Sequence, residues 1–113
     1  MKDEAIPILR VADVITAAAW YSRLGYETEW EHRFAPSLPA FICVARAGAA
    51  RLFLSEHKGD ARAGTLVYLR VADVGSVARE FQAVVVDQPW GREVHLTDPY
   101  GNRLRVGTPA NRD

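Results

Sequence analysis

Six residues occur twice in this chain, unchanged and sixty positions apart: Leu9-Arg10-Val11-Ala12-Asp13-Val14 and Leu69-Arg70-Val71-Ala72-Asp73-Val74. Self-similarity at a fixed spacing marks a duplicated structural unit. Within 113 residues it leaves room for two small modules of the same plan and little else.

The flanking residues repeat in kind as well. Each copy opens on a strand-like run, Ala5 to Val11 and Thr65 to Val71, and reaches Asp13 or Asp73. A short carboxylate there can accept the orphan N–H groups of a helix start. A helix follows from Val14 to Leu24, stopped by Gly25, and a second from Val74 to about Ala83. Ala17, Tyr21 and Leu24, like Val74, Val77 and Phe81, recur at helical spacing and belong to a core. Three β-type runs come next in each half: Tyr26 to Arg33, Phe41 to Ala45 and Arg51 to Glu56, then Val84 to Val86, Arg92 to Thr97 and Arg103 to Gly107. Ala47-Gly48-Ala49-Ala50 and Asp98-Pro99-Tyr100-Gly101-Asn102 are the matching turns. The reading is an α+β fold of two βαβββ modules in tandem within one domain spanning 1–113. Module 1 covers about 5–57, a polar linker 58–64, and module 2 about 65–107.

Charge and composition narrow the function. The formal net charge is zero, with 14 basic and 14 acidic residues, so no basic surplus points to nucleic acid. No apolar run approaches the roughly 18 residues that a membrane span needs. Cys43 stands alone and cannot form an intrachain disulfide, and Met1 to Glu4 carry charges with no cleavable apolar stretch behind them. These features lead to the expectation of a cytoplasmic protein stabilised by packing.

Side chains alternate along a strand, which sorts the residues into two faces. Leu9, Val11, Ile42, Val44, Leu52, Leu54, Leu69, Val71, Val94, Leu96, Leu104 and Val106 share the face under the helices. The opposite face receives Ile6, Ile8, Phe41, Cys43, Phe53 and Ser55 from the first half. From the second it receives Leu66, Tyr68, Glu93, His95, Arg103 and Arg105. One half of that face is greasy and the other polar. An apolar patch of that size on an open sheet usually marks a ligand or partner surface.

Together these features resemble the vicinal oxygen chelate superfamily, which includes glyoxalase I, extradiol dioxygenases, fosfomycin-resistance enzymes and bleomycin-resistance proteins. The duplicated plan, the Val-Ala-Asp helix starts and the Asp98-Pro99-Tyr100-Gly101-Asn102 turn carry the resemblance over essentially the whole chain. Gln88-Pro89-Trp90-Gly91-Arg92-Glu93 and the opening Ile6-Pro7-Ile8-Leu9 are similar to the bleomycin-resistance branch. The resemblance implies a curved mixed sheet with the helices on its outer face.

The superfamily's enzymes hold a divalent metal on the inner face of that sheet, on the first and last strands of each module. Those positions fall here on Ile6, Leu66, Arg105 and near Phe53. Three of these side chains have no donor atom and the fourth is a fixed cation. The expectation is therefore no metal and no cofactor. Glu93 and His95, with Cys43 as the only plausible third ligand, make a weak alternative set.

The bleomycin-resistance branch works by sequestration, as a homodimer with clefts built from both subunits and an exchanged N-terminal strand. Pro7 matches the proline that hinges this arm. Trp90 matches an aromatic that stacks on the drug, and Trp30 and Phe34 lie where others come from. With the inner-face residues Phe41, Phe53, Tyr68, Glu93 and His95, these form the expected ligand site. The expected partner is a small aromatic ligand. A cationic one would be held by an acidic rim of Glu27, Glu29, Glu31, Glu56 and Asp60. The expected function is metal-free binding and sequestration of a bleomycin-type or other aromatic molecule. The alternatives are a metal-dependent enzyme with displaced ligands, or a dimeric relative whose inner face is a subunit interface.

Overall fold

A computed structural model describes residues 1–110. Its elements run β1 (Ile8–Arg10), α1 (Val14–Ser22), β2 (Tyr26–His32), β3 (Phe41–Arg46) and β4 (Ala49–Ser55), then β5 (Leu66–Arg70), α2 (Val74–Phe81), β6 (Val86–Gln88), β7 (Gly91–Thr97) and β8 (Arg103–Pro109). The expected mixed sheet is built as two four-stranded halves, ordered β1-β4-β3-β2 and β5-β8-β7-β6. In each, the first strand pairs parallel with the last and the other pairs are antiparallel.

The duplication extends to register. Ile8 stands opposite Phe53 and Leu9 opposite Leu54 in the first sheet. Sixty residues on, Tyr68 stands opposite Arg105 and Leu69 opposite Val106. Phe53 and Arg105 are therefore equivalent positions of the two modules.

All twelve residues assigned to the helix-side face are buried in one core, together with Ala17, Tyr21 and Leu24 of the first module and Val74 and Val77 of the second. Both helices are capped as expected. Asp13 accepts from the backbone N–H groups of Ile15 and Thr16, and Asp73 from that of Ser76. Glu56 adds a second anchor at α1, accepting from Val14 N and Ala40 N at 2.9 Å each.

Several boundaries differ from expectation, each for a local reason. β1 begins at Ile8 rather than Ala5, because Pro7 has no N–H and joins the ladder only through its carbonyl, which accepts from Phe53 N. α1 ends at Ser22 as the chain tightens, with Leu24 N bonded to Tyr21 O and Gly25 N to Ser22 O; Gly25 then takes a φ of +88°. α2 ends at Phe81, where Gln82 turns left-handed. The first turn is the two-residue Ala47-Gly48, not four residues, so β4 starts at Ala49. β6 covers Val86–Gln88 instead of Val84–Val86, because the Pro89-Trp90 turn sets Gln88 opposite Gly91.

The modules meet through the Asp98–Asn102 turn. Asp98 is buried and accepts from Tyr21 Oη at 2.9 Å, while also accepting from the backbone N–H groups of Tyr100 and Asn102. Asn102 donates from Nδ2 to Arg10 O at 2.9 Å and to Asp98. Trp20 lies against Phe81 between the helices at 5.3 Å. Among the described residues, no strand of one sheet pairs with the other. The molecule is accordingly long, 52 × 33 × 21 Å, with a Cα radius of gyration of 14.8 Å, against about 13 Å for a compact chain of this size. Both sheets keep the face opposite their helices uncovered.

Candidate ligand-binding cleft

The open face of module 1 is an aromatic cluster. Register puts Trp30 beside Cys43 and His32 beside Phe41, with a bulge after Thr28 that returns Trp30 to this face. Trp30 stacks on Phe41 with ring centres 6.0 Å apart and planes 17° apart. Phe53 meets both rings, at 5.5 Å from Trp30 and 5.1 Å from Phe41. Phe34 sits edge-on against His32 at 4.4 Å. Trp30, His32, Phe34, Phe41, His57 and Asp60 enclose an open hollow of about 370 Å³. Trp30 is 44% exposed and Phe34 76%, so the cluster offers ring faces to whatever covers it.

The open face of module 2 is organised around Glu93. Its side chain is fully buried although it stands on the open side of β7. Oε1 accepts from the Trp90 indole Nε1 at 2.8 Å. Oε2 accepts from Arg105 Nε at 2.7 Å, and His95 Nε2 lies 2.7 Å from the same oxygen. The Arg105 bond above all, with those of His95 and Trp90, lowers the carboxyl pKa to about 2 against the opposing effect of burial. The Arg105 guanidinium lies 5.6 Å from the Trp90 ring centre and 5.8 Å from that of Tyr68. Leu66, Gln88, Trp90, His95, Thr97, Arg103 and Arg105 border a hollow of about 560 Å³, within the usual size of small-molecule sites.

Two glycines position the aromatic side chains of the module 2 face. A Cβ at Gly91 would lie 2.2 Å from Thr108 O, so only glycine lets the turn close on β8. Ala110 N then bonds Trp90 O at 3.0 Å, which fixes the tryptophan. A Cβ at Gly107 would lie 2.3 Å from Tyr68 Oη; the bare backbone there is the shelf on which Tyr68 rests.

The structure thus places Trp30, Phe34, Phe41 and Phe53 together on one sheet, and Tyr68, Trp90, Glu93 and His95 together on the other. It does not bring the two groups into one cavity within a single chain. Cys43 is buried and donates to Glu29 at 3.5 Å, on the other sheet from Glu93 and His95. Pro7 lies where the N-terminal arm leaves β1. The gap under that arm, about 1030 Å³, is bordered by Met1 to Glu4, Ile6, Ala49 and Arg51.

The acidic rim is largely spoken for. Glu29 is paired to Arg51 at 2.7 Å, and Arg51 also reaches Glu4. Glu56 serves α1, and Asp60 accepts from Ser55 Oγ at 2.6 Å. Sequence reasoning passed over Arg103 and Arg105 as ligand contacts, and over His32, His57 and Gln88. Alternation already put both arginines on the open face, and counting back from the Asp98–Asn102 turn pairs His95 with Arg105.

The metal of the superfamily's enzymes does not fit these residues. Ile6, Leu66 and Phe53 have no donor atom, and the fourth position is a guanidinium bonded to Glu93. Both oxygens of that nearest carboxylate are already engaged.

A family profile described as glyoxalase superfamily protein matches residues 1–113, and the chain belongs to that superfamily. The fold is shared with a bleomycin resistance determinant encoded on the transposon Tn5, at 22% identity, TM-score 0.77, covering 97% of this chain and 100% of that one. A bleomycin-binding protein from Streptomyces verticillus, solved with copper(II)-bleomycin, is 25% identical with TM-score 0.66 over 97% of this chain and 98% of its own. An antibiotic-binding protein from Streptomyces sp. CB03234 is 22% identical, with TM-score 0.75 over 97% and 99%. No curated protein matches by sequence. No helix among the described residues is long and apolar enough to cross a membrane.

Proposed function

We propose that this protein binds and sequesters an aromatic small molecule, of bleomycin type or another planar antibiotic, without a metal and without transforming it. The observation that carries this reading is the Trp30–Phe41–Phe53 cluster, three mutually touching rings with Trp30 44% exposed on an open sheet face. The exposed face of Trp30, backed by the two phenylalanine rings, can stack against a flat aromatic ligand. The likeness to bleomycin-binding and antibiotic-binding proteins supports the same reading.

The working unit is a homodimer in which the aromatic face of one copy closes over the Trp90 face of the other. Ile8, Leu66 and Tyr68 are 37%, 50% and 42% exposed, an apolar area that a symmetric partner would cover. Exchange of the arm ahead of Pro7 would strengthen such a pair. Trp30, Phe34, Phe41 and Phe53 then form one wall and Tyr68, Trp90, Glu93 and His95 the other.

Isothermal titration with bleomycin, phleomycin and a panel of planar aromatic antibiotics tests the proposal. Saturable binding that Trp90→Ala weakens at least tenfold is expected. The absence of heat with every compound, together with no protection of a sensitive bacterium, contradicts it. Binding that Trp90→Ala leaves intact would instead favour an inner face used only for subunit contact.

A further inference from the structure

The two halves of the cleft differ in charge as well as in grease. β5 and β8 alternate so that Leu66, Tyr68 and Arg70 share the open face with Arg103, Arg105 and Gly107. Among the described residues, Glu93 is the only carboxylate that β7 and β8 place on this face. It is consumed by Arg105 Nε, Trp90 Nε1 and His95 Nε2. Three guanidinium groups therefore face one bound carboxylate, leaving an excess of positive charge. Asp87 does not offset it, being paired with Arg92 on the other side of the hairpin. Asp98 does not either, being buried against Tyr21 and Asn102.

The geometry of Arg105 matters most. Only its Nε is committed, and Glu93 pins it there. The terminal amino groups carry no protein acceptor among the described residues, and the side chain remains about one-third exposed. Trp90 and Tyr68 lie to its sides at 5.6 and 5.8 Å. Arg103 borders the same hollow of about 560 Å³ and carries no ion pair among the described residues. A guanidinium held from behind, with free N–H groups forward and aromatic rings beside it, suits a planar anion, because its fork matches carboxylate geometry.

We infer that the module 2 half of the cleft is an anion pocket, and that the ligand is an aromatic molecule bearing a carboxylate or comparable planar anion rather than a cationic tail. This rests on the aromatic-binding reading above and names the ligand class for it. The aromatic body lies on the Trp30 and Trp90 walls. The anion reaches the free edge of Arg105, with Arg103 and Arg70 supplying attraction at longer range.

Three probes of one shape test this: 2-naphthoate, 2-naphthamide and 2-naphthylmethylammonium, titrated into the full chain at neutral pH and low salt. The expected order is naphthoate tightest, at least tenfold ahead of the ammonium, with the amide between them. The gap should shrink several-fold in Arg103→Gln and at 0.5 M salt, as screening requires. A thermal melt matching the wild type would show that Arg103→Gln is folded, and the substitution leaves the Glu93–Arg105 pair in place. If the amide binds but the ammonium equals or exceeds the naphthoate, the anion pocket is wrong and the aromatic-binding function stands. A naphthoate preference that Arg103→Gln and salt leave unchanged also overturns it. Silence from all three overturns the pocket, and silence from the antibiotic panel as well removes the sequestration function with it.

Discussion

Arg105 donates from Nε to Oε2 of Glu93 at 2.7 Å, across neighbouring strands of the second sheet. At the equivalent position of the first sheet stands Phe53, which has only ring contacts to offer. One duplicated framework has thus been given an ionic centre in one half and an aromatic one in the other. In neither half does that position supply a metal donor.

The Glu93 pair makes stability depend on pH with a definite sign. A carboxyl lowered to about 2 from an ordinary 4.5 favours the fold fully above the ordinary value. That contribution fades as pH falls from about 4.5 toward about 2. Urea denaturation of the wild type and Glu93→Gln should therefore show a wild-type advantage at pH 6 that narrows by pH 3. An advantage independent of pH over this range would contradict the ion-pair assignment.

Gly107→Ala should separate site from fold. The added methyl meets Tyr68 Oη at 2.3 Å, with Tyr68 Cζ and the Arg92 backbone carbonyl each at 3.1 Å. The phenol is the far end of a half-exposed side chain and can swing away, while the Arg92 carbonyl on β7 must give by a few tenths of an ångström, so the cost to the fold is expected to be about 1–3 kcal/mol by the usual scale of overpacking. Tyr68 then leaves the flank of Arg105, and aromatic ligands should bind several-fold more weakly. A melt close to the wild type with unchanged ligand affinity would show that Tyr68 is no part of the site.

Asp98→Ala should loosen the joint between the modules. The carboxylate accepts from Tyr21 Oη, the backbone of Tyr100 and Asn102, and Asn102 Nδ2. Its loss leaves a buried tyrosine hydroxyl unpaired and frees the turn that holds Arg10. Removing one member of such a buried network typically costs about 2–4 kcal/mol, read as a clear drop in the denaturation midpoint. A change under about 0.5 kcal/mol would mean the modules are held by the Trp20–Phe81 contact instead.

Much of the fold was legible because burial is periodic. Leu52 and Leu54, or Leu104 and Val106, needed only alternation to be assigned to the core, and Asp13 and Asp73 needed only helix-capping chemistry. The hexapeptide repeat then carried the same logic from one module to the other. What did not show was anything set by contacts between strands. Glu93 reads in sequence as a cleft-facing charge, and only its three partners explain how it is buried there. Glu56 reads as rim acid, yet it turns back to cap α1, because Val14 N and Ala40 N converge on it. β6 starts later than the apolar run Val84 to Val86 suggests, because Pro89 and Trp90, not that run, fix its register.

The most direct test of the cleft uses the chain's three tryptophans. Trp20 lies between the helices against Phe81 and Tyr21, while Trp30 and Trp90 stand on the open faces. Indole N–H resonances followed by NMR during titration with bleomycin, phleomycin and planar aromatic antibiotics should shift for Trp30 and Trp90 together, saturably, and leave Trp20 in place. Resonances of Trp30 and Trp90 that stay fixed at saturating concentrations of every compound would contradict the account.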